Sequence, residues 1–378
     1  MFPKNDFSDV LRSLVTPWYD SLKDPQKSQE NVLSDLMKGY AKTRYGKSHK
    51  ADETENVEEF QENFPVVDYK KISSYLSEVV VGNHEAFRPE PLVCWVMTRG
   101  STGPAKVLPA TRNHLEQIFS CGARALVNHV LRKRDFRIMT GKILNLSFPS
   151  NVHTMTMGGK TITYGYSSGT YAKLNPAFGR IRLLPRQEEI DSLGPGITKK
   201  DWERRFELAY QQAMKEGIIA VMGVTPVILS FARYVYRRQG KMPKELWRLN
   251  ALFCTSVRKI QVRYAPILRK YFGQVPVIEI YSATEGVFAQ QLDDLPYVTP
   301  NYDQYFFEVE TGREVKMLHE LERGEYGKLI ISSCILPRYD IGDLIEAAGN
   351  NYFRVFGRNN AKTILEHSIY RLLTRLFL

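Results

Sequence analysis

Cysteine is scarce in this chain: four in 378 residues. Cys94, Cys121, Cys254 and Cys334 lie far apart, with no pair at the close spacing of a zinc site. Four scattered thiols also do not staple a chain of this length, so a disulfide scaffold is excluded. Long hydrophobic runs are missing too. The longest, Gly217 to Ala232, is broken by Thr225 and Pro226 and falls short of the roughly 20 residues that a membrane-spanning helix needs. The N-terminus carries Lys4, Asn5 and Asp6 where a secretory leader would be apolar. Repeats and low-complexity tracts are lacking. His114, His129, His153, His319 and His367 show no metal-ligand spacing and are read as core or surface residues. These absences leave a folded protein of a reducing compartment, with the cytoplasm as its expected location and no membrane partner.

What is present is a large core and an excess of positive charge. Apolar residues make up 43% of the chain, enough for a core of more than one lobe, and aromatics 12%. The net charge is +11. A basic balance admits nucleic acid, an anionic surface or an anionic small molecule as partner. The basic runs are short: Arg132-Lys133-Arg134, Arg204-Arg205 and Arg237-Arg238. Each sits in or beside a helical pattern without interleaved stacking motifs, so they read as solvated faces and nucleic acid is not expected as a partner.

Hydrophobic periodicity predicts helices over 7–45, 112–131 and 201–216, and another opened by Pro226. Buried strands are expected at 91–97, 142–148, the IIAVMGV run, LNALFCT and PVIEIYS, with VRKIQVRYAPILRKYF mostly helical. Residues 157–179, rich in Gly, Ser and Tyr, read as a loop region. Alternation of strand and helix implies a largely parallel sheet flanked by helices. After Thr299 the chain becomes β-rich.

The chemistry concentrates in a few short stretches. WVMTRGSTGPAK (95–106) places Gly100, Gly103 and Lys106 in the spacing G-x-x-G-x-x-K after an apolar run. Glycines let backbone N–H groups approach an anion, hydroxyls add donors and a lysine adds charge, which is phosphate-cradle chemistry. A Walker A loop is excluded by Ala105 and Val107, and no G-x-G-x-x-G occurs. Alone, such a stretch is as often a plain connector between a strand and a helix. Tyr281-Ser282-Ala283-Thr284-Glu285-Gly286 follows a strand, where ligands gather in open α/β sheets. Arg338-Tyr339-Asp340-Ile341-Gly342-Asp343 ends on a carboxylate after a glycine turn, and Phe356-Gly357-Arg358 ends another strand. Gly165-Tyr166-Ser167-Ser168-Gly169 fits the G-x-S-x-G nucleophile elbow, but Pro176 makes the following stretch a poor helix, so the elbow is not expected.

Taken in order, these stretches resemble the motifs of the adenylate-forming (acyl-CoA synthetase-like) superfamily. TRGSTGPAK is similar to its phosphate loop, YSATEG to its Tyr-x-x-Thr-Glu motif, EYGKLIIS (325–332) to its G-x-L-x-I strand, RYDIGD to R-Y-x-x-G-D and Gly357-Arg358 to its hinge entry. The resemblance covers roughly residues 90–360. Within the superfamily, FPVVDYKKISSYLSEVVVGNHEAF most resembles the GH3 acyl acid–amido synthetases, with phenylacetate–CoA ligases as the nearest competitor.

The resemblance implies an α/β large N-terminal domain, mostly parallel sheets flanked by helices, over residues 1–356. It divides into a helical part (1–90), an ATP-binding core (91–298) and a β-rich subdomain (299–356), with a hinge and truncated tail at 357–378. It implies ATP and Mg²⁺ as cofactors, a carboxylic acid as substrate and an amine or CoA as acyl acceptor. Thr98, Ser101, Thr102 and Lys106, with Gly100 and Gly103, would hold the β- and γ-phosphates, and Thr284 the α-phosphate. Glu285 would bind Mg²⁺. Tyr281 would stack on adenine beside Ser282, Ala283, Thr255 and Ser256. Asp343 would take the ribose hydroxyls with support from Arg358. The acyl pocket is expected around Ser147–Thr154 and Tyr164–Tyr171, near Val224 and Thr225.

The departures are Arg99 in place of a loop serine, Asn359 and Asn360 in place of an acidic hinge residue, and a chain that ends about twenty residues past the hinge. The family continues into a mobile C-terminal domain, so a third expectation stands beside amido synthetase and CoA ligase: a lid-less nucleotide-binding protein that adenylates slowly.

Overall fold

The computed structural model describes residues 4–100, 104–175 and 180–377. Five helices open the chain: α1 (Lys4–Lys23), α2 (Pro25–Tyr40), α3 (Arg44–Ser48), α4 (Val57–Asn63) and α5 (Tyr69–Val80). Leu11, Val15 and Trp18 recur on one face of α1 and are buried, and the Trp18 indole donates to the carbonyl of Pro300 at 2.9 Å. Asp24 caps α2 by accepting from the Lys27 amide, with Pro25 in the first turn, where a missing N–H costs nothing.

Strands β1 (Leu92–Met97) and β2 (Val107–Thr111) pair antiparallel, and α6 (Arg112–Lys133) leaves from β2 with Thr111 as its cap. The phosphate-loop candidate therefore hangs from a β-hairpin rather than joining a strand to a helix. Pro109 hid the second strand; it is tolerated because β2 lies at a sheet edge, paired only with β1.

Next come β3 (Lys142–Asn145), β4 (His153–Met157), β5 (Lys160–Tyr166), α7 (Ser167–Leu174), β6 (Arg182–Leu184), α8 (Gln187–Asp191) and α9 (Lys199–Glu216). Most of the expected loop at 157–179 is thus ordered secondary structure, with 176–179 outside the described residues. Gly158 and Gly159, at φ +53° and +76°, turn the β4–β5 hairpin, and Thr161, Ile162, Thr163 and Tyr164 supply the β-branched and aromatic alternation of a strand.

The middle of the chain gives β7 (Ala220–Val224), α10 (Thr225–Gln239), α11 (Pro243–Leu246), β8 (Ala251–Thr255), α12 (Ala265–Phe272), β9 (Val277–Ala283), β10 (Gly286–Gln290) and β11 (Thr299–Pro300). The main sheet runs β11-β10-β9-β8-β7-β3-β6 and is parallel from β6 through β9, as the alternating pattern implied. β1 does not join it. It lies instead in a second, mixed sheet ordered β2-β1-β5-β4.

The β-rich part holds β12 (Phe306–Glu310), β13 (Val315–Met317), β14 (Tyr326–Ser333), β15 (Leu336–Gly349) and β16 (Tyr352–Arg358), an antiparallel sheet ordered β13-β12-β14-β15-β16. α13 (Ala361–Phe377) follows. One hydrophobic core runs continuously from Leu11 in α1 to Val355 in β16, so the opening helices and the last sheet share a core. Arg338 locks them together. It is 4% exposed, forms a two-pronged ion pair with Glu308 (2.9 and 3.0 Å) and donates to the carbonyls of Gln61 and Phe64 at the end of α4.

Candidate functional site

Three sheets meet at one seam, and each contributes strand-end residues to it. From the second sheet comes the β1–β2 hairpin. Its neck is closed by Thr98, whose amide donates to the Lys106 carbonyl and whose hydroxyl accepts from the Lys106 amide, both at 2.9 Å. Gly100 sits at φ +65°, a left-handed conformation that glycine adopts at least cost. Ser101, Thr102 and Gly103 lie outside the described residues. Lys106 points out of the hairpin. Its ammonium donates to the Tyr339 hydroxyl at 2.9 Å and rests over the rings of Tyr69 (5.7 Å) and Tyr339 (5.4 Å). Tyr69 in turn exchanges hydrogen bonds with both backbone groups of Val107.

The main sheet supplies the ends of β8 and β9. The hydroxyls of Thr255 and Ser282 meet at 2.5 Å, and Ser256 turns the chain at φ +69°. β9 continues through Ala283, so the turn into β10 is Thr284-Glu285 itself. Both side chains are buried, at 7% and 5% exposure. Thr284 is gripped twice: its hydroxyl meets Ser167 at 3.0 Å, and its carbonyl accepts from Tyr171 at 2.8 Å. Glu285 lies 3.5 Å from the Tyr339 hydroxyl and has no ion pair among the described residues. Burial raises its carboxyl above the ordinary range; the charge of Lys106, then that of Arg358, opposes the rise.

The β-rich sheet supplies Tyr339 and Asp343 from β15 and Arg358 from β16, where Asp343 and Arg358 stand in register. Asp343 is 7% exposed. One carboxylate oxygen accepts from the Tyr281 hydroxyl at 2.9 Å, and the other faces Arg358 at 3.2 Å. Burial raises its carboxyl, and Arg358 works against that. Tyr281 is 9% exposed and walled by Phe288 and Phe353. It offers a base little open face; the geometry favours it as the holder of Asp343 over the adenine-stacking role.

Lys106, Thr284, Glu285, Tyr281, Asp343 and Arg358 therefore converge, and Thr255, Ser256 and Ser282 line the adjoining strand ends. Arg99 does not obstruct the loop. It donates to the Ser256 carbonyl at 3.2 Å and lies over the Phe148 ring, tying the hairpin to the end of β8. Asn360 caps α13 through the Thr363 amide, and the Asn359 amide donates to Gly342. In the region expected to hold an acyl group, Phe148 stands edge-on to Tyr166 and Trp202, giving an aromatic wall next to the hairpin.

Sequence reasoning missed Tyr69 and Tyr339 as site residues and gave Tyr171 only as one end of the expected acyl pocket. Tyr339 stood inside a quoted motif, so only its partner was hidden. The expectation against an elbow at Ser167 is corrected in part: β5 precedes it and α7 follows it, the context that motif needs. Its hydroxyl is nevertheless engaged by Thr284, and His114 reaches Tyr171 rather than Ser167.

The donor set suits Mg²⁺-ATP. Among the described residues no group of three His, Cys, Asp or Glu forms a metal cage. A single buried, unpaired carboxylate is what Mg²⁺ uses when phosphate oxygens and water complete its shell. No helix among the described residues is long and apolar enough to cross a membrane.

The GH3 family N-terminal domain matches residues 18–190. No protein of curated function matches the sequence. Among solved structures, AtGH3.15 acyl acid amido synthetase in complex with 2,4-DB superposes with a TM-score of 0.75 at 17% identity, over 95% of this chain and 72% of that one. A 2-hydroxyisobutyryl-CoA ligase in complex with 2-HIB-AMP and CoA superposes with a TM-score of 0.64 at 15% identity, over 88% of this chain and 74% of that one. Residues 18–190 thus match the GH3 family N-terminal domain, and the chain has the fold of the adenylate-forming enzymes.

Proposed function

We propose that this chain is an ATP-dependent ligase that activates a carboxylic acid as its acyl-adenylate and transfers the acyl group to the amine of an amino acid. The observation that carries the reading is convergence from three sheets: Lys106 and Glu285 meet at the buried Tyr339 hydroxyl, and Asp343, held by Tyr281 and Arg358, lies near enough for its charge to act on the Glu285 carboxyl. The same reading keeps residues 1–356 as one large domain with 357–378 as hinge and tail, and places the protein in the cytoplasm.

In the reaction a carboxylate oxygen of the acid attacks the α-phosphorus, the bond to the β-phosphate oxygen breaks, and pyrophosphate leaves. Lys106 neutralises the β- and γ-phosphates as charge moves onto them. The Thr284 hydroxyl donates to the α-phosphate. Glu285 would hold Mg²⁺, which would supply Lewis-acid charge to the phosphate oxygens. Asp343, with lone pairs left beyond those given to Tyr281 and Arg358, accepts from the ribose hydroxyls. Most of the rate gain is positioning, because these groups sit on strand ends.

ATP–pyrophosphate exchange across a panel of carboxylic acids tests the first half; no exchange with any acid, in protein that binds Mg²⁺-ATP, sinks it. The likeness to a CoA ligase over a similar share of the chain supports a second acceptor reading. Offering amino acids and CoA in parallel, with mass-spectrometric detection of amide or thioester, separates the two.

A further inference from the structure

Tyr339 is 1% exposed, and its hydroxyl lies between the two charges of the site. Lys106 Nζ donates to it at 2.9 Å, and Glu285 Oε1 lies 3.5 Å away on the far side. The hydroxyl has one proton and two lone pairs, so it can accept from the ammonium while turning its proton toward the carboxylate. Without a ligand, this bridge is the nearest thing Glu285 has to a counter-charge among the described residues.

We propose that Tyr339 is a positioning residue that couples the phosphate-binding lysine to the metal-binding carboxylate. It parks Lys106 beside Glu285 in the empty protein and releases it to the β- and γ-phosphates as Mg²⁺ takes over Glu285. This rests on the nucleotide reading given above. Two features of the fold support the exchange. The Tyr69 ring, its centre 5.7 Å from the ammonium, keeps a cation–π partner beside it as it swings. The parking place is rigid, because Tyr339 pairs with Ile331 of β14 on one edge and with Val67 on the other, and Arg338, the preceding residue, is bolted to Glu308 and to the end of α4. The hairpin that carries Lys106 ends in an edge strand. The lysine moves and the phenol stays. Glu285 is then never left buried and uncompensated: Lys106 faces it before binding and the cation afterwards.

The test is Tyr339→Phe, which keeps the ring and removes the hydroxyl. Calorimetric titration with Mg²⁺-ATP and, separately, AMP is the readout. AMP lacks the phosphates that Lys106 would meet. Because the Lys106–Tyr339 bond exists only in the empty protein, its loss should tighten Mg²⁺-ATP binding about tenfold or more, the scale of one hydrogen bond to a charged group, with AMP affinity unchanged. In a Lys106→Met background the same substitution should leave Mg²⁺-ATP affinity where it was, since the bond is already gone. Weakened or unchanged Mg²⁺-ATP affinity in the single variant, or an equal change for AMP, would overturn the proposal. If wild-type protein binds neither nucleotide, the nucleotide reading itself falls and takes this role with it. Should Tyr339→Phe not fold, Lys106→Met answers the question in the empty protein. It should lower the melting temperature at pH 7, and that loss should vanish in a Glu285→Gln background; an unchanged melting temperature refutes the parked lysine.

Discussion

Replacing Arg338 by Met should be among the most damaging single changes outside the site, and its size can be worked from the structure. Arg338 and Glu308 are 4% and 0% exposed and share two hydrogen bonds. Two more bonds run from Arg338 to the carbonyls of Gln61 and Phe64, at 2.8 and 2.7 Å. Methionine matches the stem but leaves a carboxylate with no water and no cation. Breaking a buried pair by removing one partner costs about 3–5 kcal/mol. Arg338 sits at φ +38°, but Met carries the same Cβ, so the backbone term cancels. Urea unfolding followed by circular dichroism should show the midpoint fall at unchanged slope. Adding Glu308→Leu should recover most of the loss, because an apolar pair of similar volume leaves no charge behind. The pH dependence has a definite sign. Burial already raises the Glu308 carboxyl, and Arg338 is the first thing opposing that. In Arg338→Met the carboxyl rises further, and a group raised on folding favours the native state below its unfolded pKa and loses that contribution as pH rises. The penalty should therefore shrink as pH falls toward about 4. A loss below about 1 kcal/mol at pH 7, or a double variant as unstable as the single one, refutes the reasoning.

Lys106→Ala should reduce ATP–pyrophosphate exchange by orders of magnitude through lost phosphate neutralisation; wild-type exchange in that variant removes the phosphate-loop assignment. Glu285→Gln keeps the shape of the side chain and deletes its charge, so exchange should demand far more Mg²⁺; an unchanged Mg²⁺ titration disproves the metal role. Because burial raises the Glu285 carboxyl, Mg²⁺-ATP affinity in the wild type should fall on acidification at a higher pH than an ordinary carboxylate would give. Asp343→Ala should raise the KM for ATP, and the wild type should discriminate against 2′,3′-dideoxy-ATP; equal use of the two nucleotides argues against ribose recognition.

The helices and the parallel strands were legible because their signals are local. Leu11, Val15 and Trp18 mark a buried stripe, and Pro226 opens α10 as expected. β2, β4, β5 and α7 were not, since Pro109 and the Gly/Ser/Tyr composition mask elements held by neighbours distant in sequence. β1 reads like any buried parallel strand, and nothing local says that it pairs with β5 instead of β3. The site shows the same division. Motif spacing pointed to Lys106, Glu285 and Asp343. The contact between Lys106 and Tyr339 spans 233 positions and follows from packing alone.

That division has a mechanical consequence. Glu285 closes a turn between β9 and β10, and β9 is flanked on both sides within the main sheet. Asp343 and Tyr339 lie on β15, also flanked on both sides. Lys106, by contrast, leads into β2, a strand with a single neighbour, at the neck of a hairpin closed by Thr98. Local opening costs least where backbone hydrogen bonds are fewest. Under the proposed function a nucleotide would therefore meet two fixed anchors, for ribose and for metal, and one adjustable cation. The hairpin could then adapt to the phosphates without disturbing the strand ends proposed to set the α-phosphorus against the incoming carboxylate. Stiffening it, for instance by proline at a loop position, should change ATP affinity before it changes the choice of acid.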